Sequence, residues 1–231
     1  MVSVNEYEKV RLQFSKTGKA KFISHLDLNR TFKTAFTRAK VPIWYTNGFN
    51  PHPKMVFSLP LSLGTESVCE FLDIRVLPDV DLEKIKSSLN ANLPDDIQIK
   101  RVYKPETKLE QMRWAKYAFT LTLCDASQKT AEAIKNMLNG PIEITKRTKK
   151  TKSGFMEADI SSGIRSSSVI YNGDNIIITA ELSASVDEYV NPDHMIKALS
   201  KYLQIDFEKE NEGYTVMKLA TYFEDCETVF S

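Results

Sequence analysis

The chain has 231 residues, of which 42% are hydrophobic and 26% are charged, and its net charge is +1. This composition is typical of a soluble globular protein with enough apolar residues for two cores. It excludes a uniformly basic nucleic-acid-binding protein, so any basic surface must be local. The three cysteines form no CxxC pair, which excludes a disulfide framework and a zinc or iron–sulfur site built from cysteines alone.

The same sequence argues against export and membrane insertion. No apolar run approaches the roughly 18 residues that a membrane-spanning helix needs. The beginning of the chain, MVSVNEYEKVRLQF, lacks the basic and apolar regions of a secretion signal. Separated cysteines also indicate a reducing compartment. We therefore expect a cytoplasmic protein that makes no membrane contact.

The first half of the chain shows the element order βαββαβ. Ser24 and Asp27 resemble a helix-capping box, and Pro42 is expected to end that helix. Val10, Leu12 and Phe14 alternate with polar residues, which predicts a half-buried strand. The patterns predict, in order, a strand at 7–14, a helix from 24, extended segments at 43–46 and 54–59, a strand at 70–76, a helix at 81–93 and a strand at 97–103.

The second half repeats that order without repeating the residues. The patterns predict, in order, a strand at 115–123, a helix at 126–139, an extended segment at 142–148, a hairpin of 169–171 and 175–182, a helix at 192–203 and a strand at 214–223.

Together these elements predict an α+β protein of two tandem ferredoxin-like domains with antiparallel sheets. The expected boundaries are 1–104 for the first domain, 105–112 for a polar linker and 113–231 for the second domain. A single larger α+β sheet is the alternative.

Ligand-capable side chains concentrate at the start of the first helix and in the loop NGFNPHP. Pro51 and Pro53 fix the backbone on both sides of His52, which suits general acid–base chemistry or phosphate recognition. If the loop folds over the helix start, His52 meets His25, and these two histidines are the candidate catalytic residues. The alternative is a rigid connector and a structural histidine. No metal-ligand spacing is present, so no metal site is predicted.

Polar, basic and aromatic residues around these histidines are the candidate substrate-binding set. An exposed aromatic ring beside a cation is suited to stacking an unpaired base. The set consists of Asp27, Arg30, Arg38, Tyr45, Asn47, Phe49, Asn50 and Lys54. Asp27 also has a structural interpretation as a helix-cap carboxylate.

A basic region, KRTKKTKSG, begins at position 146 in the second half of the chain and contains no acidic residue. A run of this kind is either a solvated loop or a mobile hairpin that binds a phosphate backbone. The candidate nucleic-acid-binding residues are Lys146, Arg147, Lys149, Lys150, Lys152 and Arg165.

The stretch that contains SHLDL, GFNPHP and LPLSLGTES resembles the bacterial radical-SAM-linked proteins, a family of unknown function. Lys33 and Thr37 depart from the arginine-rich helix of that pattern. The matching positions are Ser24, His25, Leu26, Asp27, Leu28, Arg30, Arg38, Ala39, Pro42, Gly48, Phe49, Asn50, Pro51, His52, Pro53, Pro60, Leu61, Gly64 and Ser67.

The resemblance implies a partner more than a reaction, since such domains are fused to or encoded beside radical S-adenosylmethionine proteins. This chain contains no CxxxCxxC, so S-adenosylmethionine and an iron–sulfur cluster are expected on the partner and no cofactor is expected here. The predicted function is an RNA-binding or substrate-docking accessory subunit. The alternatives are an RNA-processing or RNA-modifying enzyme that uses His25 and His52, and a protein-docking module that does not bind nucleic acid.

Overall fold

The computed structural model of the chain describes residues 7–147, 154–185, 188–207, 212–224 and 229–230; the side chain of Arg147 is not described. The chain divides into two compact units, Met1–Leu109 and Glu110–Phe230. The division falls inside the segment 105–112 that the sequence suggested as a linker. Helices and antiparallel sheets occur in both units, so the predicted α+β class is confirmed.

The first unit contains four strands and two helices in the described residues. They are β1 (Glu8–Lys16), α1 (His25–Arg38), β2 (Val56–Phe57), β3 (Thr65–Val76), α2 (Leu82–Asn90) and β4 (Ile97–Tyr103). Within this unit the strand order is β4-β1-β3-β2, and every pairing is antiparallel. A short 3-10 helix, Gly18–Phe22, joins β1 to α1.

Both ends of α1 are set by local backbone hydrogen bonding. The predicted N-cap is confirmed, because the Ser24 hydroxyl accepts a hydrogen bond from the Asp27 N–H at 3.1 Å. At the other end, Lys40 takes a left-handed φ of 52°. The N–H of Val41 then donates to the Phe36 carbonyl, in a Schellman arrangement. The helix therefore ends at Arg38, and this end is set by the backbone at Lys40 and Val41 and not by Pro42.

The core of the first unit lies between the two helices and one face of the sheet. Val10, Leu12 and Phe14 of β1 are fully buried against Phe32 and Phe36 of α1. The Phe14 and Phe32 rings meet edge to face with centroids 5.0 Å apart, which is a favourable aromatic geometry. The apolar periodicity of both segments predicted this contact surface.

The opposite face of β1 corrects the prediction of a half-buried strand. Arg11 is fully buried and makes a two-point contact with Asp73, with Nε to Oδ1 at 2.7 Å and Nη2 to Oδ2 at 3.0 Å. Two further N–H groups of Arg11 donate to the hydroxyl and carbonyl of Thr107, both at 2.9 Å. Strand β1 is therefore covered on both sides, and the arginine ties the end of the first unit to its sheet.

The second unit contains six strands and two helices in the described residues. They are β5 (Trp114–Thr122), α3 (Gln128–Leu138), β6 (Glu143–Arg147), β7 (Phe155–Asp159), β8 (Ile164–Asn172), β9 (Asn175–Ser183), α4 (Pro192–Leu203) and β10 (Gly213–Tyr222). Four strands pair antiparallel in the order β10-β5-β9-β8, and β6 and β7 form a separate hairpin.

Turn and cap residues explain the predicted elements of this unit. Ser127 caps α3, and Asn191 caps α4 with Pro192 in its first turn. Asn172 pairs with Asn175 across a two-residue turn, and Gly173 has a φ of 62° that favours glycine. The predicted hairpin and the helix at 192–203 are confirmed.

Three strand predictions need correction. Strand β2 has only two residues, and the N–H of Lys54, at the start of the predicted segment, donates to the Trp44 carbonyl and not to β3. Strand β8 begins at Ile164, earlier than predicted, because its exposed serines carry no alternating apolar signal. Strand β7, which is mostly exposed, was not predicted as a strand.

Candidate functional site

The start of α1 carries an ordered polar group. The Asp27 carboxylate accepts hydrogen bonds from the Ser24 hydroxyl at 2.7 Å and from Arg30 Nη1 at 3.2 Å. The Ser24 hydroxyl, helped by the Arg30 guanidinium, lowers the pKa of Asp27. Asp27 and Arg30 are both largely exposed, so their ion pair is weak and Arg30 remains available to an anionic ligand.

An open groove runs along the exposed face of α1. Its α1 side is formed by Asp27, Arg30, Thr31, Thr34 and Arg38, and its other side by residues 91–94 at the end of α2. The groove encloses about 590 Å³. We call it the α1 groove. It brings together three of the predicted substrate-binding residues: Asp27, Arg30 and Arg38.

The loop that follows α1 holds His52 by its own polar groups. His52 Nδ1 lies 3.1 Å from both the Thr46 hydroxyl and the Asn50 carbonyl, and its backbone N–H donates to the same hydroxyl. A bridge between Tyr45 and Pro53 closes the loop. His52 is exposed, so its imidazole is both oriented and accessible.

The other candidate residues of this loop also reach solvent. Asn47, Phe49 and Asn50 are exposed, and Tyr45 is 41% exposed. Lys54 is exposed too, with its Nζ 5.7 Å from the centroid of the Trp44 ring, to which the Arg75 guanidinium also lies close. The loop therefore presents aromatic and amide side chains to solvent, and the cations of Lys54 and Arg75 lie over the Trp44 ring.

His25 lies beside a different cavity. This small space, about 10 Å³, is lined by Lys16, Ser24, His25 and Glu70 together with apolar side chains that include Phe57. The His25 ring meets Phe57 edge to face at 5.1 Å. None of the described residues that line this cavity belongs to the loop 44–54. The cavity therefore groups His25 with Lys16 and Glu70, and not with His52.

Lys16 and Glu70 are functional candidates that the sequence analysis missed. Lys16 is 2% exposed and Glu70 is 4% exposed. Burial lowers the pKa of the Lys16 ammonium, and the Glu70 carboxylate opposes that lowering. Lys16 Nζ also donates to the Lys21 carbonyl at 3.4 Å. The available signal was the alternation of β1, which places Lys16 on the same face as the buried residues Val10, Leu12 and Phe14.

Nucleic-acid-binding candidates in the second unit are only partly described. Lys149, Lys150 and Lys152 lie outside the described residues, as does the side chain of Arg147. The Arg165 guanidinium donates to the Glu224 carbonyl at 3.1 Å and lies 5.9 Å from the Trp114 ring centroid. Lys146 is near His194 of α4. These contacts place Lys146 and Arg165 in different surroundings.

His194, the third histidine, was not among the predicted site residues. Its Nδ1 is buried without a hydrogen-bond partner in the part of the chain that the structure describes. Burial lowers the pKa of His194, and the positive charges of Lys146 and Lys197 lower it further. The sequence carried no signal for this environment, because α4 and β6 are brought together only by folding.

The helix side of the second unit carries grooves of a different composition. One is lined largely by apolar groups, including Met137, Pro141, Ile142 and Tyr202. A neighbouring groove contains Asp125 and Glu212 as well as Lys129, again with Tyr202. These surfaces lack the two arginines of the α1 groove.

Within the described residues, no three His, Cys, Asp or Glu side chains are close enough to hold a metal ion. No helix among these residues has the length and apolar character needed to cross a membrane. Cys69 is buried and Cys124 is exposed, and neither forms a disulfide in the described part of the chain.

The family of the chain follows from a match over most of its length. Residues 9–192 match the family described as "uncharacterized protein conserved in bacteria (DUF2344)". The chain belongs to this family. The matched segment of the DUF2344 chain includes the α1 groove, the loop around His52 and the cavity beside His25. No curated protein matches it.

Two solved structures show weak similarity to the DUF2344 chain. One is a chain of a Cbf5–Nop10–Gar1 complex, with 10% identity and a TM-score of 0.49. That alignment covers 94% of this chain and 50% of the other, so this chain spans half the length of that relative. The second is a protein of unknown function from Galdieria sulphuraria, with 11% identity, a TM-score of 0.28 and coverages of 92% and 99%. At these TM-scores neither structure assigns a fold or a function to this chain.

Proposed function

We propose that this protein is an RNA-binding accessory protein and that the α1 groove is its binding surface. The observation that supports the proposal is the placement of Arg30 and Arg38, with Thr31 and Thr34, along one side of an open groove. Guanidinium groups recognise phosphate with two parallel hydrogen bonds, and hydroxyls add neutral phosphate contacts. The small net charge of +1 makes this local concentration of arginine the relevant electrostatic feature.

Asp27 does not prevent phosphate binding in this groove. Its carboxylate is already hydrogen-bonded to the Ser24 hydroxyl, and its ion pair with Arg30 is exposed. An exposed pair of this kind contributes about 0–1 kcal/mol. A phosphate can therefore replace Asp27 as the partner of Arg30 at small cost.

The proposal is tested by measuring RNA affinity at several salt concentrations. We expect a linear fall of log affinity with log salt, because bound cations are released from the RNA. The double variant Arg30→Gln/Arg38→Gln should reduce the slope by about 1.4 if each arginine contacts one phosphate of a single strand.

Lys33→Gln is the matched control, since Lys33 lies on the same helix and does not line the groove. It removes one charge and should leave the slope nearly unchanged. Binding that is indifferent to salt, or equal losses in the arginine and lysine variants, would contradict the α1 groove as the binding surface.

A second candidate function is an RNA-processing or RNA-modifying enzyme, and the cavity formed by Lys16, His25 and Glu70 favours it. Burial lowers the pKa of Lys16 in this cavity, and an ionisable side chain with a shifted pKa in a cavity is typical of acid–base sites. Single-turnover assays on bound RNA distinguish this function from simple binding. His25→Ala should abolish product and preserve affinity, with His52→Ala as the parallel test of the loop. Absence of any product from the unmodified protein would reject the enzyme.

We further propose that the partner is a radical S-adenosylmethionine protein, in the cytoplasm, which supplies that cofactor and the iron–sulfur cluster. The proposal is supported by the resemblance of SHLDL and GFNPHP to the radical-SAM-linked pattern. Co-purification of such a protein should survive nuclease treatment and high salt. Loss of the partner after nuclease treatment alone would show that RNA, and not direct contact, joins the two.

Finally, we propose that both units are ferredoxin-like domains. The first unit has the order βαββαβ, and the second has the same order once the β6–β7 hairpin is treated as an insertion. In each unit, numbering its own four sheet strands along the chain gives the order 4-1-3-2 with antiparallel pairs. This agreement of element order and strand order supports a duplicated ferredoxin-like unit. An experimental structure in which either unit has a different strand order would contradict it.

A further inference from the structure

Phe22 is an exposed aromatic residue on an ordered turn directly before α1. Its side chain is 68% exposed. Two other large apolar residues near the helix start, Leu26 and Leu63, are exposed to a similar degree. Exposed apolar side chains that cluster in one region indicate a binding surface.

The turn that carries Phe22 is held at several points. The N–H of Gly18 donates to Glu66 Oε1 at 2.7 Å, and the N–H of Lys19 donates to Asp96 Oδ2 at 2.9 Å. The N–H of Gly64 donates to the Lys21 carbonyl at 2.9 Å. Gly18 itself has a φ of 54°, and a Cβ there would lie 2.6 Å from Asp96 Oδ1. Phe22 is therefore exposed on a fixed turn.

The surroundings of the Phe22 ring favour a nucleotide over an apolar peptide. Lys21 Nζ lies 5.3 Å from the ring centroid, so an aromatic surface and a cation are adjacent. A nucleotide offers a base to the ring and a phosphate to the ammonium. The acidic side chains nearby, Glu66 and Asp96, accept backbone N–H donors of the turn.

The turn lies close to the α1 groove along the sequence. The groove begins at Asp27, five positions after Phe22. Its arginines, at 30 and 38, are eight residues apart, or roughly 12 Å along the helix axis. At about 3.4 Å per stacked nucleotide, this spacing corresponds to three or four nucleotides.

We propose that the RNA recognised by this protein is single-stranded and that an unpaired base stacks on Phe22 while the backbone continues along the α1 groove. The inference rests on the proposed function, because it specifies the ligand of that groove. In a duplex, stacking between neighbouring base pairs covers the faces of the bases, so the internal bases of a duplex cannot stack on the Phe22 ring. A protein that docks on Phe22 is the competing occupant.

The test uses an eight-nucleotide RNA with one fluorescent base, as a single strand and as a duplex with its complement. Phe22→Ala should weaken single-strand binding by about fivefold to a hundredfold, the range found when one stacking aromatic is removed. Its salt slope should stay unchanged because no charge is lost. Phe22→Trp should retain affinity and quench the fluorescent base. Tyr171→Ala, which removes a partly exposed aromatic of the second unit, is the control and should have no effect.

Two outcomes would overturn the inference. In the first, Phe22→Ala binds the single strand as tightly as the unmodified protein, or loses duplex binding to the same extent. In the second, Phe22→Ala leaves RNA binding intact and instead abolishes co-purification of a protein, which would assign the surface to protein docking. If Arg30→Gln/Arg38→Gln still reduces the salt slope, the proposed function survives either failure. If the unmodified protein binds neither RNA, the proposed function fails as well.

Discussion

The two units share a strand order but present different side chains on their helices. In the first unit, the groove along α1 contains Arg30 and Arg38. In the second, the grooves near α3 and α4 contain apolar residues such as Met137 and Ile142, with lysines and carboxylates but no arginine among their described residues. Because the backbone order is the same, the difference comes from the residues at exposed helix positions. Possible ligands must therefore be inferred from these faces and not from the fold.

The two units also differ in the charged side chains that they bury. The first unit buries the ion pair of Arg11 and Asp73 together with Lys16 and Glu70. The described part of the second unit buries one charged side chain, Lys218. Buried charges require specific partners. The first unit is therefore the one in which single charge changes should have the larger consequences for stability.

The largest effect is expected from Arg11→Met, which removes the cation of the buried ion pair with Asp73, a kind of pair that the described part of the second unit does not contain. Asp73 would be left buried with Lys9 as its remaining cationic partner. Loss of one member of a buried pair costs about 3–5 kcal/mol, and we expect the lower value because Lys9 remains. Urea unfolding followed by circular dichroism measures the change. Arg11→Met/Asp73→Leu should recover much of the loss, and a single variant as stable as the unmodified protein would contradict the ion-pair role.

The next effect concerns Lys16, whose pKa is lowered by burial. Between that lowered pKa and the ordinary value of 10.5, the unfolded chain holds a proton that the folded protein has lost. The free energy of unfolding should therefore rise with pH in this window. Below the window, the buried and charged Lys16 lowers that free energy. The urea midpoints of unfolding, measured at pH 7, 8, 9 and 10, should rise less steeply with pH in Lys16→Met than in the unmodified protein. Parallel curves for the two proteins would show that Lys16 does not contribute.

A smaller pH effect is expected in the second unit from His194. Its pKa is lowered from 6.5 by burial and by the charges of Lys146 and Lys197, and burial raises the pKa of the neighbouring Asp193 carboxyl. The unfolded chain therefore binds the proton first, so stability should fall as pH decreases through the range below 6.5. His194→Gln should reduce the pH dependence of the thermal unfolding midpoint between pH 5 and 7. An unchanged pH dependence would reject the assignment.

The smallest effect is expected from the double variant Lys129→Gln/Lys201→Gln, which removes two cations from the second unit's helix grooves. If RNA binds the α1 groove, the salt slope should change by less than about 0.3, against about 1.4 for the two arginines. The comparison uses equal charge changes in the two units. Equal slopes for both double variants would show that both helix surfaces contact RNA.

Much of the local structure could be predicted because its causes are local. Ser24, Ser127 and Asn191 cap helices through hydrogen bonds to residues two or three positions away. The Gly173 turn is likewise specified by neighbouring residues. The burial of Arg11 could not be predicted from alternation, because its partners are 62 and 96 positions away.

The candidate site was predictable in part for the same reason. The exposed stripe of Asp27, Thr31, Thr34 and Arg38 follows from helical periodicity. The opposite wall, at residues 91–94, directly follows α2 and is brought to α1 only by tertiary packing. The grouping of His25 with Lys16 and Glu70 also depends on strands distant in sequence. Local patterns identified the residues that line one side, and folding supplied the other.

One carbonyl links the Phe22 turn to the protein interior. The oxygen of Lys21 receives both the N–H of Gly64 and the ammonium of Lys16. A ligand that displaces the turn therefore alters the environment of the Lys16 amine, whose pKa is already lowered by burial. Proton exchange with the solution on complex formation would therefore show that the turn had moved, and its absence would show that the turn stays fixed. Calorimetric titrations in buffers of unequal ionisation enthalpy would measure that exchange as a difference in apparent heat.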